Sequence, residues 1–178
     1  MKKWLVVINM QNDFITGSLG TKESELIVDG VCEKIRSWNG EIICIQDTHN
    51  EDYLDTLEGE KLPIKHCING THGWKICDKV AEALIEKQEH TYQISKFTFG
   101  SFKLDKIIND DYYTDFISKE IEICGLFTDT CVVSNALILR TEFPDIPIIV
   151  NKNLCAGTTP EKHNAALEVL KSCQIDVI

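Results

Sequence analysis

The sequence predicts a three-layer, Rossmann-like α/β domain with a parallel sheet of about six strands and helices on both faces. Short runs rich in β-branched residues alternate with helical patterns along the chain, which indicates parallel βαβ units. The runs are apolar almost throughout, as in strands that are buried on both faces. The length of 178 residues suits a single domain, residues 1–178, with a core of ordinary size.

Six runs are expected to form the strands, namely residues 4–9, 41–46, 91–95, 121–125, 146–150 and 174–178. Four segments between them carry apolar residues at helical spacing, namely 22–38, 75–87, 131–142 and 160–172. The third segment is apolar nearly all round, so we expect that helix to be deeply buried. The fourth has Thr159 as a cap and Pro160 at its first helical position.

Two long polar connections follow the second and third strands, at residues 47–73 and 96–112. Long loops in a compact domain usually carry function. Open parallel sheets bind ligands beyond the carboxyl ends of their strands. We therefore expect both connections to meet the segments after strands one and four, "NMQND" and "LFTDTC", at one edge of the sheet.

The composition argues against several classes of protein. The net charge of −10 and the lack of a basic block argue against binding to nucleic acid or to an anionic membrane surface. The short apolar run after Lys2 and Lys3 stops too soon for a signal peptide, and no apolar stretch approaches the roughly 20 residues that span a bilayer. None of the eight cysteines forms a CxxC pair, so we expect reduced thiols in a cytoplasmic protein.

The connection after strand two contains a candidate metal site. Asp47 and His49 are two residues apart, so they point to the same side of an extended segment, and His66 follows in the same connection. Two imidazoles and a carboxylate suit one divalent transition metal, Zn, Fe or Mn, with positions left for water or substrate. The spacing does not decide whether Asp55 or Glu58 is a further ligand.

The stretch "ICGLFTDTCVVSNALILR" predicts a strand, a turn with Gly125 and an apolar helix with Cys131 near its start. Backbone N–H groups and the helix dipole at such a position favour a thiolate and can hold a developing oxyanion. We therefore expect a lowered pKa for Cys131 and the most reactive thiol of the chain. Lys96 follows the third strand and should reach the same edge of the sheet.

Five segments together resemble the isochorismatase-like cysteine hydrolases, and within them the nicotinamidase-like amidases. They are "MQNDF" with "GSLG", "DTH…HCINGT", "KFTFGS", "GLFTDTCVVSNA" and "CAGTTPEKHNAALEVLKSCQI". Each segment is short, but their order and spacing extend over nearly the whole chain. The family fold is a parallel sheet with helices on both faces, which agrees with the fold class expected from the strand and helix patterns.

The resemblance implies a Cys–Asp–Lys triad, with Cys131 as the nucleophile and Lys96 as the lysine. The position of the family aspartate is occupied here by Asn9. The resemblance also implies a cis peptide between Leu126 and Phe127. That bond would turn the Phe127 N–H toward the oxyanion, beside the N–H of Cys131.

The implied activity is hydrolysis of a linear amide, nicotinamide to nicotinate and ammonia, through a thioester on Cys131. The implied metal is zinc, with iron and manganese as alternatives, and it would hold the pyridine nitrogen or a water. Phe14 and Phe99 are candidates for stacking on the aromatic ring, the alternative being that either simply packs in the fold. Relatives suggest a homo-oligomer. The metal ligands that the resemblance implies are Asp47, His49, His66 and, as an additional one, Glu58.

Asn9 leaves the function open, because an amide keeps the size of a carboxylate without useful basicity. It is an inactivating replacement, a natural variant with weak or altered activity, or the mark of a retired enzyme that still binds metal and ligand. Asp13 is not an obvious substitute, because the family has that aspartate alongside the catalytic one. The alternatives to a nicotinamidase are an amidase for another small amide and a non-catalytic binder; isochorismatase activity fits the metal set less well.

Overall fold

The computed structural model describes residues 3–112 and 120–178. The strands of this part of the chain are β1 Lys3–Ile8, β2 Glu41–Asp47, β3 Thr91–Lys96, β4 Glu120–Leu126, β5 Ile148–Ala156 and β6 Asp176–Val177. They form one sheet in the order β3-β2-β1-β4-β5-β6, and every neighbouring pair is parallel. The predicted α/β class with a parallel sheet of six strands is therefore confirmed.

The helices are α1 Asn12–Ile15, α2 Lys22–Ser37, α3 Leu57–Lys61, α4 Asp78–Ile85, α5 Lys103–Tyr112, α6 Val133–Glu142 and α7 Pro160–Ser172. Parallel strands are joined by right-handed crossovers, which place α2 and α4 on one face of the sheet and α5, α6 and α7 on the other. The contacts agree, because α2 packs on α4 while α6 packs on α5 and α7. No helix among the described residues has both the length and the hydropathy needed to cross a membrane.

Two of the predicted strands differ from the observed ones. The run 146–150 becomes β5, which starts after Pro147, a residue that has no N–H to give to a ladder, and continues through polar residues to Ala156. The run 174–178 shortens to the two residues of β6. Gln174 has a left-handed φ of 62°, and the Ile175 N–H donates to the Leu170 carbonyl, so these residues end α7.

Two expectations about helices were wrong. The connection 96–112 is not a loop throughout, because Lys103–Tyr112 forms α5, with Leu104 and Ile108 completely buried four residues apart. Residues 131–142 do not form one deeply buried helix. A π-helical turn, Thr128–Val132, precedes α6, and Leu137 and Ile138 on α6 are only half-buried because the helix belongs to an outer layer.

The two central strands approach each other closely where the functional edge begins. Gly125 pairs with Ile8 across the sheet and has a φ of +117°. A Cβ at Gly125 would overlap the Ile8 carbonyl oxygen. Asn9, which follows Ile8, has a φ of 53°, a left-handed conformation that asparagine tolerates better than most residues. Glycine in β4 thus allows β1 to run straight up to the turn that begins at Asn9.

Substitution of Gly125 by alanine should therefore destabilise the fold far more than the same change at Gly70. Gly70 also has a positive φ, of +80°, but has open space around it, so Gly70→Ala should cost about 1 kcal/mol of unfolding free energy. Gly125→Ala adds overlap with a strand backbone and should cost about 3 kcal/mol or more. Urea unfolding of both variants measures the difference. Equal losses would contradict the close approach of β1 and β4.

Candidate active site and metal centre

A cavity of about 310 Å³ opens at the edge of the sheet where the parallel strands end. The sequence-predicted residues that line it are Phe14, Asp47, Glu58, His66, Phe99, Phe127 and Cys131. Asn9, His49 and Lys96 are buried, with exposed fractions of 0%, 8% and 2%. Asp47 ends β2, Lys96 ends β3 and Asn9 follows β1. The parallel topology thus brings together residues that are far apart in the sequence.

The predicted metal ligands form a compact buried group. One ligand atom each from Asp47, His49 and His66 lies within 4.8 Å of the other two. The His66 Nδ1–H donates to the Ile64 carbonyl at 2.8 Å, which leaves the Nε2 lone pair free. Burial lowers the pKa of His66 and so favours the neutral imidazole that a metal requires. His49 Nε2 is buried without a hydrogen-bond partner, as expected of an atom whose partner is a metal.

The geometry distinguishes the two candidates for a further ligand. Glu58 Oε1 lies 3.9 Å from His49 Nε2, and Glu58 lines the cavity. Asp55 is exposed in the 3-10 turn Tyr53–Asp55 and does not line it. The arrangement therefore favours Glu58 over Asp55.

Two residues that the sequence reasoning missed support this group. Gln11 donates to the Asp47 carbonyl at 2.8 Å and accepts from the Asp47 N–H at 2.7 Å, which fixes the backbone at the end of β2. The Tyr53 ring packs 4.7 Å from the His49 ring and 5.0 Å from the His66 ring, and its hydroxyl donates to the Leu62 carbonyl. A lone aromatic residue in a polar loop, four residues after His49, was the available signal for Tyr53.

Lys96 interacts with both the candidate metal ligand Asp47 and the Cys131 thiol. Its Nζ lies 3.0 Å from Asp47 Oδ1, an ion pair without hydrogen-bond geometry, and it also interacts electrostatically with Cys131. Burial tends to lower the pKa of Lys96, but Cys131 and Asp47 outweigh it and raise that pKa. Burial also tends to raise the pKa of Asp47, but His49 and Lys96 outweigh it and lower that pKa. The lysine is therefore charged, and its carboxylate partner is a candidate metal ligand.

The expected lowering of the Cys131 pKa is wrong. Burial raises the pKa of this thiol, and although Lys96 opposes the rise, Asp47 adds to it. Cys131 is 3% exposed and lies in the π-helical turn, before the first residue of α6, so it is not placed at a regular helix N-terminus. Burial thus outweighs the lysine in setting the direction of the pKa shift of Cys131. Cys131 is nevertheless the one cysteine among the residues that line the described cavity.

Asn9 is completely buried, and neither its Nδ2 nor its Oδ1 has a hydrogen-bond partner. Among the side chains that the structure describes, the buried polar atoms without hydrogen-bond partners belong to Asn9, His49 and Lys96. All three residues lie at the edge of the sheet that holds the cavity. Buried polar groups normally have hydrogen-bond partners, so the clustering of these unpartnered atoms at one edge indicates a ligand-binding site.

Asp13 does not take over the position of the missing carboxylate. Its Oδ2 accepts from the Cys67 N–H at 2.7 Å, and its carboxyl group packs against Gly73. Asp13 thus holds the long connection in place, and it does not line the cavity. The structure agrees with the expectation that it is no substitute base.

Aromatic rings form one wall of the cavity. Phe14 is buried and packs edge-on against Phe127 at 5.3 Å and His66 at 5.6 Å. Phe99 is 46% exposed and so has a free face. The peptide between Leu126 and Phe127 is cis, as the resemblance implied. Phe14 is therefore packed on its neighbours, whereas Phe99 is the better candidate for stacking.

Comparisons with known proteins give a consistent family. The model of the isochorismatase domain matches residues 3–178. The nicotinamidase of Saccharomyces cerevisiae is 21% identical over 215 residues, covering 99% of each chain. The structure of pyrazinamidase of Pyrococcus horikoshii in complex with zinc is 26% identical, covers 100% of this chain and 99% of that chain, and has a TM-score of 0.84. A nicotinamidase from Bacillus subtilis is 24% identical, covers 99% of both chains and also has a TM-score of 0.84.

The family model covers nearly the whole chain, and the residues at the sheet edge form one buried group beside a cavity. The chain belongs to the isochorismatase family and is a hydrolase that resembles, at low identity, its nicotinamidase and pyrazinamidase members.

Proposed function

We propose that this chain is a metal-containing cysteine amidase that hydrolyses a small carboxamide, nicotinamide being the substrate to test first. The observation that carries the proposal is a buried lysine that forms an ion pair with Asp47 and interacts electrostatically with the Cys131 thiol, beside a cavity with an aromatic wall. A flat aromatic amide suits the free face of Phe99. The product of nicotinamide hydrolysis would be nicotinate, with release of ammonia.

In the proposed reaction, Cys131 Sγ attacks the carboxamide carbon and forms a C–S bond. Lys96 stabilises the thiolate, and the backbone N–H groups of Phe127 and Cys131 hold the negative oxygen. The proton that the Cys131 thiol gives up passes to the nitrogen, the C–N bond breaks and ammonia leaves. Water then adds its hydroxyl to the thioester carbon and its proton to the sulfur, so that the C–S bond breaks and the acid is released. In the family an aspartate would carry the proton from sulfur to nitrogen; that position is Asn9 here, and its amide cannot accept a proton.

Asp47, His49 and His66 are the proposed metal ligands, with Glu58 as an additional one. Zinc is the metal proposed first, in line with the zinc complex of the pyrazinamidase, and iron and manganese are alternatives. When bound, the metal would act as a Lewis acid that orients the substrate ring or a water. The chain supplies two imidazole nitrogens and a carboxylate, a donor set that fits such an ion.

The second candidate function is a non-catalytic metal and ligand binder, and Asn9 is the observation in its favour. Lys96 has its carboxylate partner in Asp47 rather than at position 9. An amidase with a different small substrate remains a variant of the main proposal. All eight cysteines are free, which accords with the proposed cytoplasmic location. We also retain a homo-oligomer as a proposal.

The metal content of the protein and of its variants tests the proposed metal site. Protein prepared without chelators should hold about one equivalent of transition metal. His49→Ala should lose most of it, because it removes a buried Nε2 atom that has no protein partner. Elemental analysis measures the content. Glu58→Ala should weaken metal binding by about 10–100-fold, as loss of a supporting ligand does.

The matched controls lie in the same connection. His72→Ala removes an exposed imidazole, and Asp55→Ala removes an exposed carboxylate, so both should leave the metal content unchanged. A folded His49→Ala protein that retains its metal would contradict the assignment. Equal effects of Asp55→Ala and Glu58→Ala would contradict the choice of Glu58.

Substitution of Asn9 tests the proposed amidase activity. Asn9→Asp restores a proton carrier of nearly the same size, and general acid–base groups are typically worth about 10²–10⁴-fold in rate. We expect the chain to release ammonia from amides slowly or not at all. Asn9→Asp should raise kcat by at least roughly a hundredfold on nicotinamide or a related amide. The comparison requires equal metal content.

The control is Asn12→Asp, the same change three residues further along. Asn12 donates to the His72 carbonyl at an exposed position, so its replacement should not raise turnover. Fast turnover by the Asn9 protein would mean that another base serves. An Asn9→Asp protein that binds metal but is inert on every amide tested would favour the binder.

A further inference from the structure

Asn135 is a buried asparagine that makes three hydrogen bonds across the site. It lies on α6, four residues after Cys131, and is 0% exposed. Its Nδ2 donates to the Cys131 carbonyl at 2.7 Å and to the Phe99 carbonyl at 3.1 Å. Its Oδ1 accepts from the Ser101 N–H at 3.0 Å. Three of the four hydrogen-bonding positions of this side chain are thus used.

The bonds join the two segments that carry the proposed chemistry. One segment is the π-helical turn with Cys131, and the other is the loop that follows Lys96, the last residue of β3, and contains Phe99. That loop also lies tightly on α6, because a Cβ at Gly100 would meet the Ile138 side chain. A displacement of either segment would therefore change the relation of the thiol to both the ammonium group and the aromatic wall.

We propose that Asn135 is a positioning residue that sets Cys131 relative to Lys96 and Phe99. The inference rests on the proposed function of Cys131 as the nucleophile. Asn135 contacts only backbone atoms in the bonds described, so it acts through the residues that it holds. Errors of about 1 Å in such a geometry can cost about 10²-fold in rate.

The neighbouring Ser134 shows why the role of Asn135 is not that of an ordinary helix residue. The Ser134 hydroxyl donates to the carbonyl of Thr130, four residues earlier, so this bond stays within the same helical segment. Asparagine is a poor helix former because its side chain competes for backbone groups. Asn135 uses that property to bind backbone on a second segment, which an alanine or leucine at the same place could not do.

The test uses the chain with Asn9 intact and measures alkylation of Cys131 by iodoacetamide as a function of pH, with peptide mapping. Asn135→Ala should move the midpoint of the Cys131 profile upward by about one pH unit, because the thiolate loses its fixed relation to the Lys96 ammonium. Its metal content should not change. The pH midpoint is the decisive measurement, since a purely structural role would lower stability and leave the midpoint in place.

Asn151→Ala is the matched control. Asn151 Nδ2 donates to Glu122 Oε1 at 3.1 Å within the sheet. This variant therefore loses a hydrogen bond between two strands at a position away from Cys131. It should lose some stability and keep the midpoint. Should Asn135→Ala fail to fold, Asn135→Ser removes the amide without adding a charge near Cys131, and the same shift is expected.

Turnover separates this inference from the proposed function. In an Asn9→Asp background that hydrolyses an amide, Asn135→Ala should reduce kcat at least about tenfold, with a smaller change in KM. If that background is inert, the amidase proposal fails, while a shifted alkylation midpoint still supports the positioning role. An unchanged midpoint in a folded Asn135 variant overturns the positioning role whatever the turnover.

Discussion

The carboxylate of Asp47 is the interaction on which the rest of the site depends. Its Oδ1 lies 3.0 Å from Lys96 Nζ and 3.6 Å from His49 Nε2, so one buried anion faces the proposed catalytic lysine and a proposed metal ligand together. Gln11 holds the Asp47 backbone from two sides. A buried carboxylate without such partners would be neutralised. The candidate metal ligands and the Cys131 thiol are therefore electrostatically coupled through Asp47 and Lys96.

This arrangement gives Asn9 a specific meaning. Asp47 is the carboxylate that pairs with Lys96, and position 9 carries an amide instead of a second carboxylate. The fold tolerates the amide, because Asn and Asp share the left-handed backbone that the end of β1 requires. Under the proposed function, the amide at position 9 removes a proton carrier while keeping nearly the size of a carboxylate.

The sequence was sufficient for the fold and for the residues at strand ends. Buried parallel strands are apolar throughout, so β1, β2 and β4 were recognisable, and the polar residues Asn9 and Asp47 were conspicuous where those strands end. Helix α5 was missed because its Leu104 and Ile108 stand among polar residues in a segment that looked like a loop. The Cys131 pKa was misjudged because burial is a tertiary property that no local motif encodes. Gln11, Tyr53 and Asn135 were missed for a related reason, since each acts on residues brought near only by the fold.

The most direct measurement is a crystal structure of the zinc-loaded chain with nicotinamide, since slow turnover by the Asn9 protein should allow the complex to be trapped. We predict one zinc ion bonded to Asp47, His49 Nε2 and His66 Nε2, with the Asp47 carboxylate still paired with Lys96. We also predict the carboxamide carbon within about 3.5 Å of Cys131 Sγ, a distance from which the thiol can react. Zinc bound to other residues, or nicotinamide bound outside the cavity while Cys131 is intact, would contradict the account.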